Sequence, residues 1–406
     1  MKYIFVFITS LFAFKANSQV ITNYTTNHGL IDNFVECIDV DTEDNIWIGT
    51  SMGVQMFDGQ NWILYDDISY PGLVSNNIKA IKTVSNGDIW VGTDFGVSRF
   101  DGLDWITYNS SNGLSNNQVY SIDEDSFGNI WIGTHSGVSF YDGNTWGSYG
   151  YPDLHWSGVN RTVFDSNGDI WFSCPLGGVI QKVGSNFISY DTSDGLLSQN
   201  TTDIKLDNFG NKWIGTGAGI SVLNDNNSSF THHTKMYLMP PPDTLNPVVD
   251  LEIDSYGRIW TGIYVGYLSE GGVTMWNGNQ WFDYDYNVDG LVGKNIKDLA
   301  IDSENNIWIA TTSGISKLNL VSSMTNNISH NFNVFPNPCN GELNVNINKL
   351  NVSSIDVYNL IGEKLYSKKI NKEPKFVLKL DHLPQSIYII KFTTDTRVFS
   401  NFIKLN

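Results

Sequence analysis

Between residues 19 and 318, short runs rich in Val, Ile, Phe, Tyr and Trp are separated by turns built on Gly, Asn and Asp. Such runs, bounded by such turns, predict β-strands joined by hairpins. The pattern then repeats. A tryptophan returns at Trp47, Trp90, Trp131, Trp171, Trp213, Trp260 and Trp308, each inside a variant of the phrase Gly128-Asn-Ile-Trp-Ile-Gly-Thr134. Its intervals run from 40 to 48 residues, the period of a unit of four short strands. Three residues before each Trp stands Asp44, Gly87, Gly128, Gly168, Gly210, Gly257 or Asn305, all residues that accept a left-handed backbone at low cost. Six residues before it an Asp recurs in six units (Asp41, Asp125, Asp165, Asp207, Asp254, Asp302), placed to cap a tight turn through nearby amides. Six residues after it every unit has Gly: Gly53, Gly96, Gly137, Gly177, Gly219, Gly266 and Gly314.

Each unit therefore reads as four strands, A to D. The seventh unit has sequence for A, B and C but no aromatic D strand. The chain instead offers Val20-Ile-Thr-Asn-Tyr24 followed by Gly29-Leu30, which matches the D strand Trp105-Ile-Thr-Tyr108 followed by Gly113-Leu114. The expected fold is all-β: a seven-bladed β-propeller closed by the N-terminal strand, which removes the open sheet edges. A small C-terminal β-sandwich follows, with alternation at Leu343, Val345 and Ile347 marking strands with one buried face. The expected division is a signal peptide at 1–18, the propeller at 19–318, a linker at 319–331 and the C-terminal domain at 332–406.

Charge separates the two parts. Residues 19–318 hold 12 Lys/Arg against 36 Asp/Glu, a net −24, whereas residues 332–406 hold 10 against 6, a net +4. A propeller this acidic repels phosphate, so nucleic acid and anionic membrane surfaces are not expected partners. Residues 1–18 combine Lys2, an apolar stretch and a cleavage site at Ser18/Gln19, as a secretory signal does. No membrane span is expected in the mature chain. Cys37, Cys174 and Cys339 lack any paired spacing, so neither a disulfide framework nor a zinc site is expected. The acidic run from Asp39 to Asp44 begins like a calcium loop, but its twelfth position is Thr50 and not a bidentate Glu. No metal, cofactor or catalytic set is expected.

The repeat breaks on one face. The A-to-B turns are uniform, while irregularity gathers in the B-to-C and D-to-A connections. Unit 4 replaces Gly-Thr with Ser173-Cys174-Pro175 and inserts a residue before Val179. Unit 6 expands its B-to-C turn and inserts Tyr264, Tyr267 and Glu270. The connection between units 3 and 4 carries Tyr151, His155 and Trp156, shortly before Arg161, and the one between units 5 and 6 carries Tyr237. Aromatics on irregular loops of a rigid scaffold make a candidate ligand-binding surface. These eight residues are the expected ligand site.

The phrase Asp-x-x-Gly-Asn-x-Trp-Ile-Gly-Thr-x-x-Gly-Val, kept in full at Asp125–Val138, resembles the two-component regulator propeller repeat. That resemblance covers roughly residues 20–318 and implies an extracellular ligand-binding propeller; no kinase segment accompanies it here. The last 75 residues resemble the type IX secretion system C-terminal sorting domain, on Phe335, Pro336, Asn337, Pro338 and Gly341, the hairpin Ile355–Gly362, and Ser386–Lys391. This resemblance implies a partner, the type IX machinery, and export through the periplasm and outer membrane to the surface or the medium. The expected function is a noncatalytic exported propeller that binds a glycan, peptide or surface protein. The alternative is a secreted polysaccharide-active lyase or hydrolase using groups such as Glu270 or His155.

Overall fold

A computed structural model describes residues 19–237, 246–266 and 270–320, and in the C-terminal part 333–335, 341–346, 352–359, 364–370, 375–394 and 398–405. Residues 21–319 form one compact unit and the residues from 320 onward another. The first unit is a ring of seven four-stranded antiparallel sheets. In blade 3 the strands are Val119–Glu124, Ile130–Thr134, Gly137–Tyr141 and Trp146–Tyr149. Blade 7 takes A, B and C from Ile296–Ile301, Ile307–Thr311 and Gly314–Leu320, and its outer strand is the N-terminal Gln19–Tyr24. The propeller has seven blades and closes as its sequence predicts.

Local chemistry explains why the phrase recurs. All seven residues three before the Trp have positive φ, from 61° at Asn305 to 90° at Gly87. In six blades the preceding Asp caps the A-to-B turn with one oxygen and accepts the indole N–H of the Trp with the other, at 2.9–3.1 Å. Each carboxylate thus couples a turn to the ring that fills the blade. All seven Trp side chains are buried. Each also stacks on the last residue of strand D, as Trp47 does on Tyr65 at 5.7 Å and Trp308 on Tyr24 at 5.6 Å. In blade 5 the partner is His233, whose ring lies 5.5 Å from Trp213 and nearly parallel to it. Hydrophobic clusters join neighbouring blades, for example Trp47 and Tyr65 with Ile89 and Trp105.

Two glycines lie out of the register expected from spacing. The glycine that opens strand C presses against the carbonyl ending strand D; an added Cβ would sit 2.5 Å from Tyr65 O at Gly53. In blade 4 this place belongs to Gly178, not Gly177, because Leu176 takes an extra left-handed step at φ 61°. In blade 6 it belongs to Gly272, not Gly266, next to Tyr284 O. There the inserted residues lengthen the ladder itself: Tyr264 pairs with Gly271 and Val265 with Glu270. The expected expanded turn is in large part an extended hairpin.

The C-terminal unit has two sheets. One orders Asn333–Phe335, Glu342–Asn346 and Lys375–Lys379; the other orders Lys364–Lys369, Val352–Tyr358, Ser386–Thr394 and Val398–Leu405. Leu343, Val345 and Leu378 from the first share a buried core with Ile355, Val357, Ile390 and Phe392 from the second. Of the expected sorting residues, Gly341 is described at φ 85°, and Phe335 ends a strand. Pro336, Asn337, Pro338, Ile347 and the signal residues through Ser18 lie outside the described residues. Among the described residues no helix is long and apolar enough to cross a membrane.

Candidate functional site

The loop-face residues fall into two groups. In the connection between blades 3 and 4, Leu154 is buried, while Tyr151 is 76% and Trp156 61% exposed. One apolar anchor therefore fixes a loop that turns two aromatic rings outward. His155 Nδ1 accepts the Ser157 amide at 3.2 Å and lies 2.8 Å from Ser157 Oγ. Its ring is also packed against Gly177, where an added Cβ would meet it at 2.5 Å.

The second group lies on the blade 6 hairpin. The Tyr237 hydroxyl donates to Gly271 O at 3.1 Å, and its ring occupies the space that the absent side chain of Gly272 leaves. Burial raises the Tyr237 hydroxyl well above its ordinary pKa. Glu270 pairs with Lys294 at 2.7 Å. Tyr264 belongs to the same ladder, and Tyr267 lies outside the described residues.

Arg161 joins neither group. It stands on the innermost strand of blade 4, with Nε 2.8 Å from Asp203, Nη2 3.2 Å from Asp250 and Nη1 3.4 Å from Asp123. These aspartates belong to a girdle around the central channel. Asp203, Asp250 and Asp298 each accept a backbone N–H of the next blade, from Leu251, Leu299 and Ile38 at 2.8–3.1 Å. Asp39 and Asp123 do the same for Thr83 and Thr162. His155, Arg161 and Glu270 thus each hold different partners.

The girdle has more carboxylates than cations. Asp39, Asp123, Asp203, Asp250, Glu252 and Asp298 face Lys82, Arg161 and Lys205. Burial would raise Asp203, but Arg161 and then Lys205 outweigh it and hold the carboxyl below its ordinary value. Burial pushes Asp298 up to about 7. Burial also raises Asp250 well above the carboxylate range, reinforced by the charges of Asp298 and Asp203. A group raised on folding stabilises the protein below its unfolded pKa and loses that contribution as pH climbs through the folded value. Asp298→Asn keeps an oxygen for the Ile38 amide and removes the charge. It is expected to flatten the fall in stability between about pH 4 and pH 7, read by urea denaturation across that range. An unchanged slope would count against this assignment.

Towards the A-to-B turns the channel widens into a polar cavity of about 400 Å³, lined by Asp39, Lys82, Lys205, Glu252 and the turn residues Asp254 and Ser255. It lies on the face opposite the irregular loops, where the sequence pattern was most uniform. Its ion pairs are Lys82–Asp39 at 3.1 Å and Lys205–Glu252 at 2.7 Å. Among the described residues no group of three or more His, Cys, Asp or Glu is arranged to hold a metal ion.

Two family models match this sequence. The two component regulator propeller matches residues 72–95, 113–136 and 290–313, and the secretion system C-terminal sorting domain matches residues 333–405. Three of the seven blades thus match the regulator propeller repeat, and the C-terminal unit of the chain matches a type IX sorting tail. That tail marks it for export to the cell surface or the medium and for handling by the type IX machinery. No curated protein matches the chain.

Solved structures share its fold. The extracellular domain of a hybrid two component system from B. thetaiotaomicron is 18% identical, with a TM-score of 0.63 over 95% of this chain and 57% of its own. PorZ, a surface component of the type IX secretion system of Porphyromonas gingivalis, is 16% identical, with a TM-score of 0.59 over 92% of this chain and 60% of its own. This chain therefore spans less than two thirds of either. Inactive virginiamycin B lyase from Staphylococcus aureus with quinupristin is 14% identical, with a TM-score of 0.59 over 75% of this chain and all of its own. At these identities the likeness is one of fold, which does not carry function with it.

Proposed function

We propose that the mature chain is a noncatalytic recognition module, exported by its tail, that binds an extracellular glycan, peptide or surface protein through its irregular loop face. The observation that supports this most directly is the pair Tyr151 and Trp156, held outward on either side of the buried Leu154. Large aromatics displayed together on a pinned loop are the usual anchors of a binding surface. The groups nearest to acid–base candidates have other work: His155 caps a turn, Glu270 pairs with Lys294 and Arg161 is held by three carboxylates. General acid–base chemistry would need them within reach of one another. Glycan and peptide arrays probed with the mature protein test the reading. Binding is expected to drop at least tenfold in Trp156→Ala and to persist in Trp131→Phe, a change to the scaffold ring. Equal binding by both variants would overturn it.

A further inference from the structure

We infer that the loop face over blades 2 to 4 docks a protein segment that is both apolar and basic. This rests on the recognition reading above and narrows its ligand from three classes to one. The surface is an arc of exposed side chains: Phe95 at 61%, Trp156 at 61% and Leu176 at 56% exposure, with Tyr120 between them.

Contacts make the arc continuous. The carboxylate of Asp94, next to Phe95, is within electrostatic reach of Tyr120. The Tyr120 hydroxyl lies 2.8 Å from His135 Nδ1. Gly158 is pressed against the His135 backbone, where an added Cβ would come within 2.9 Å of its Cα. The rings of His155 and Trp156 lie 5.3 Å apart, and His155 abuts Gly177 beside Leu176.

Leu176 is the informative member. Its φ of 61° places a branched, L-configured residue in the left-handed region, where a Cβ crowds the following carbonyl oxygen and strains the backbone. Its side chain is mostly in solvent and contributes little to the core. Neither backbone nor packing favours leucine where Gly or Asn would sit without strain. Strain kept in a residue that gains nothing internally points outward, to whatever covers it.

Leu176 also separates the ligand classes. A sugar ring stacks on aromatic faces and gains little from a branched aliphatic tip. A protein segment buries aromatic and aliphatic groups alike, as interface cores do. Charge supplies the remaining property. Asp94 and Asp153 are exposed on this arc, and among the described residues neither makes an ion pair. The propeller around them carries a net −24, from 12 Lys/Arg and 36 Asp/Glu. Such a field draws in basic segments and repels a second copy of the same propeller.

The test pans the mature full-length protein against a phage-displayed random dodecapeptide library, and titrates the enriched peptides at low and high salt. Enriched sequences are expected to combine Lys or Arg with aliphatic or aromatic residues and to weaken as salt rises. Leu176→Gly is expected to weaken binding at least tenfold while its Tm stays level or rises, because the strain is relieved. Phe95→Ser provides a second loss without a backbone effect. Peptides that are acidic, or that ignore both substitutions, overturn the inference. Glycans that bind through Trp156 while no peptide is enriched also overturn it and leave the recognition reading standing; binding of neither class overturns both. Cross-linking from position 176 to residues 332–406 of the same molecule would make the occupant internal and overturn the inference of a separate partner.

Discussion

Replacing Arg161 with Leu is expected to destabilise the propeller by about 3–5 kcal/mol at neutral pH, the cost of leaving buried charge without its partner. The guanidinium serves Asp123, Asp203 and Asp250 at once, from three different blades. In the native protein Arg161 holds Asp203 below the ordinary carboxylate range. That share of stability is present above the range and is lost on acidification. Without Arg161, burial raises Asp203 as well and pushes Asp123 and Asp250, already raised, further up, so the folded state is penalised as pH increases. The destabilisation should therefore be larger near pH 8 than near pH 5, as read by urea denaturation at both. Arg161→Lys should recover only part of it, because an ammonium is a point charge and cannot span three acceptors as a planar fork does. A loss of the same size at both pH values, or full rescue by Lys, would show that the girdle is not held by this charge.

The same residue shows what was legible in the sequence. Asp203, Asp250 and Asp298 each stand ten residues before their Trp, and so does Arg161. At that repeat position, with Cys37, Ala80 and Ser121 in the first three blades, one cation followed by three acids already marks the channel. Grouping Arg161 with the nearby loop aromatics hid this, because closeness in sequence replaced position in the repeat. The blades themselves were legible because Gly, Asn and Asp at the left-handed position have a backbone reason that no insertion disturbs. In blades 4 and 6 the six-residue spacing no longer marks the start of strand C, because the insertions visible in the sequence fall between the Trp and the glycine that opens it. The cavity by the A-to-B turns left no trace in the pattern at all. It depends on how seven uniform turns are arranged in space, with Lys82, Lys205 and Glu252 converging from strands far apart in the chain.

Deleting residues 19–24 from the mature chain is expected to cost more stability than any substitution considered so far. This segment is the outer strand of blade 7, paired with Gly314–Leu320. Asn23 donates to Gly290 O at 2.9 Å and accepts from Ser316 Oγ at 2.7 Å, and Tyr24 stacks on Trp308. The aromatic contribution is about 3 kcal/mol by comparison with other large-to-small changes. Ladder hydrogen bonds at roughly 1 kcal/mol each bring the loss to about 5 kcal/mol or more. The deletion also bares the edge of Gly314–Leu320, a template for intermolecular pairing, so concentration-dependent aggregation should accompany it. A gentler version separates closure from mere shortening. Chain ends ordinarily fray, and a frayed end would make Tyr24→Ala nearly silent. If the ring is closed, Tyr24→Ala should cost about as much as Tyr65→Ala, its counterpart stacked on Trp47 in blade 1. Urea midpoints of the two variants, with hydrogen exchange at residues 314–320, decide the matter. A Tyr24→Ala loss below about 0.5 kcal/mol beside a full loss for Tyr65→Ala would mean that the N-terminal strand does not close the ring in solution.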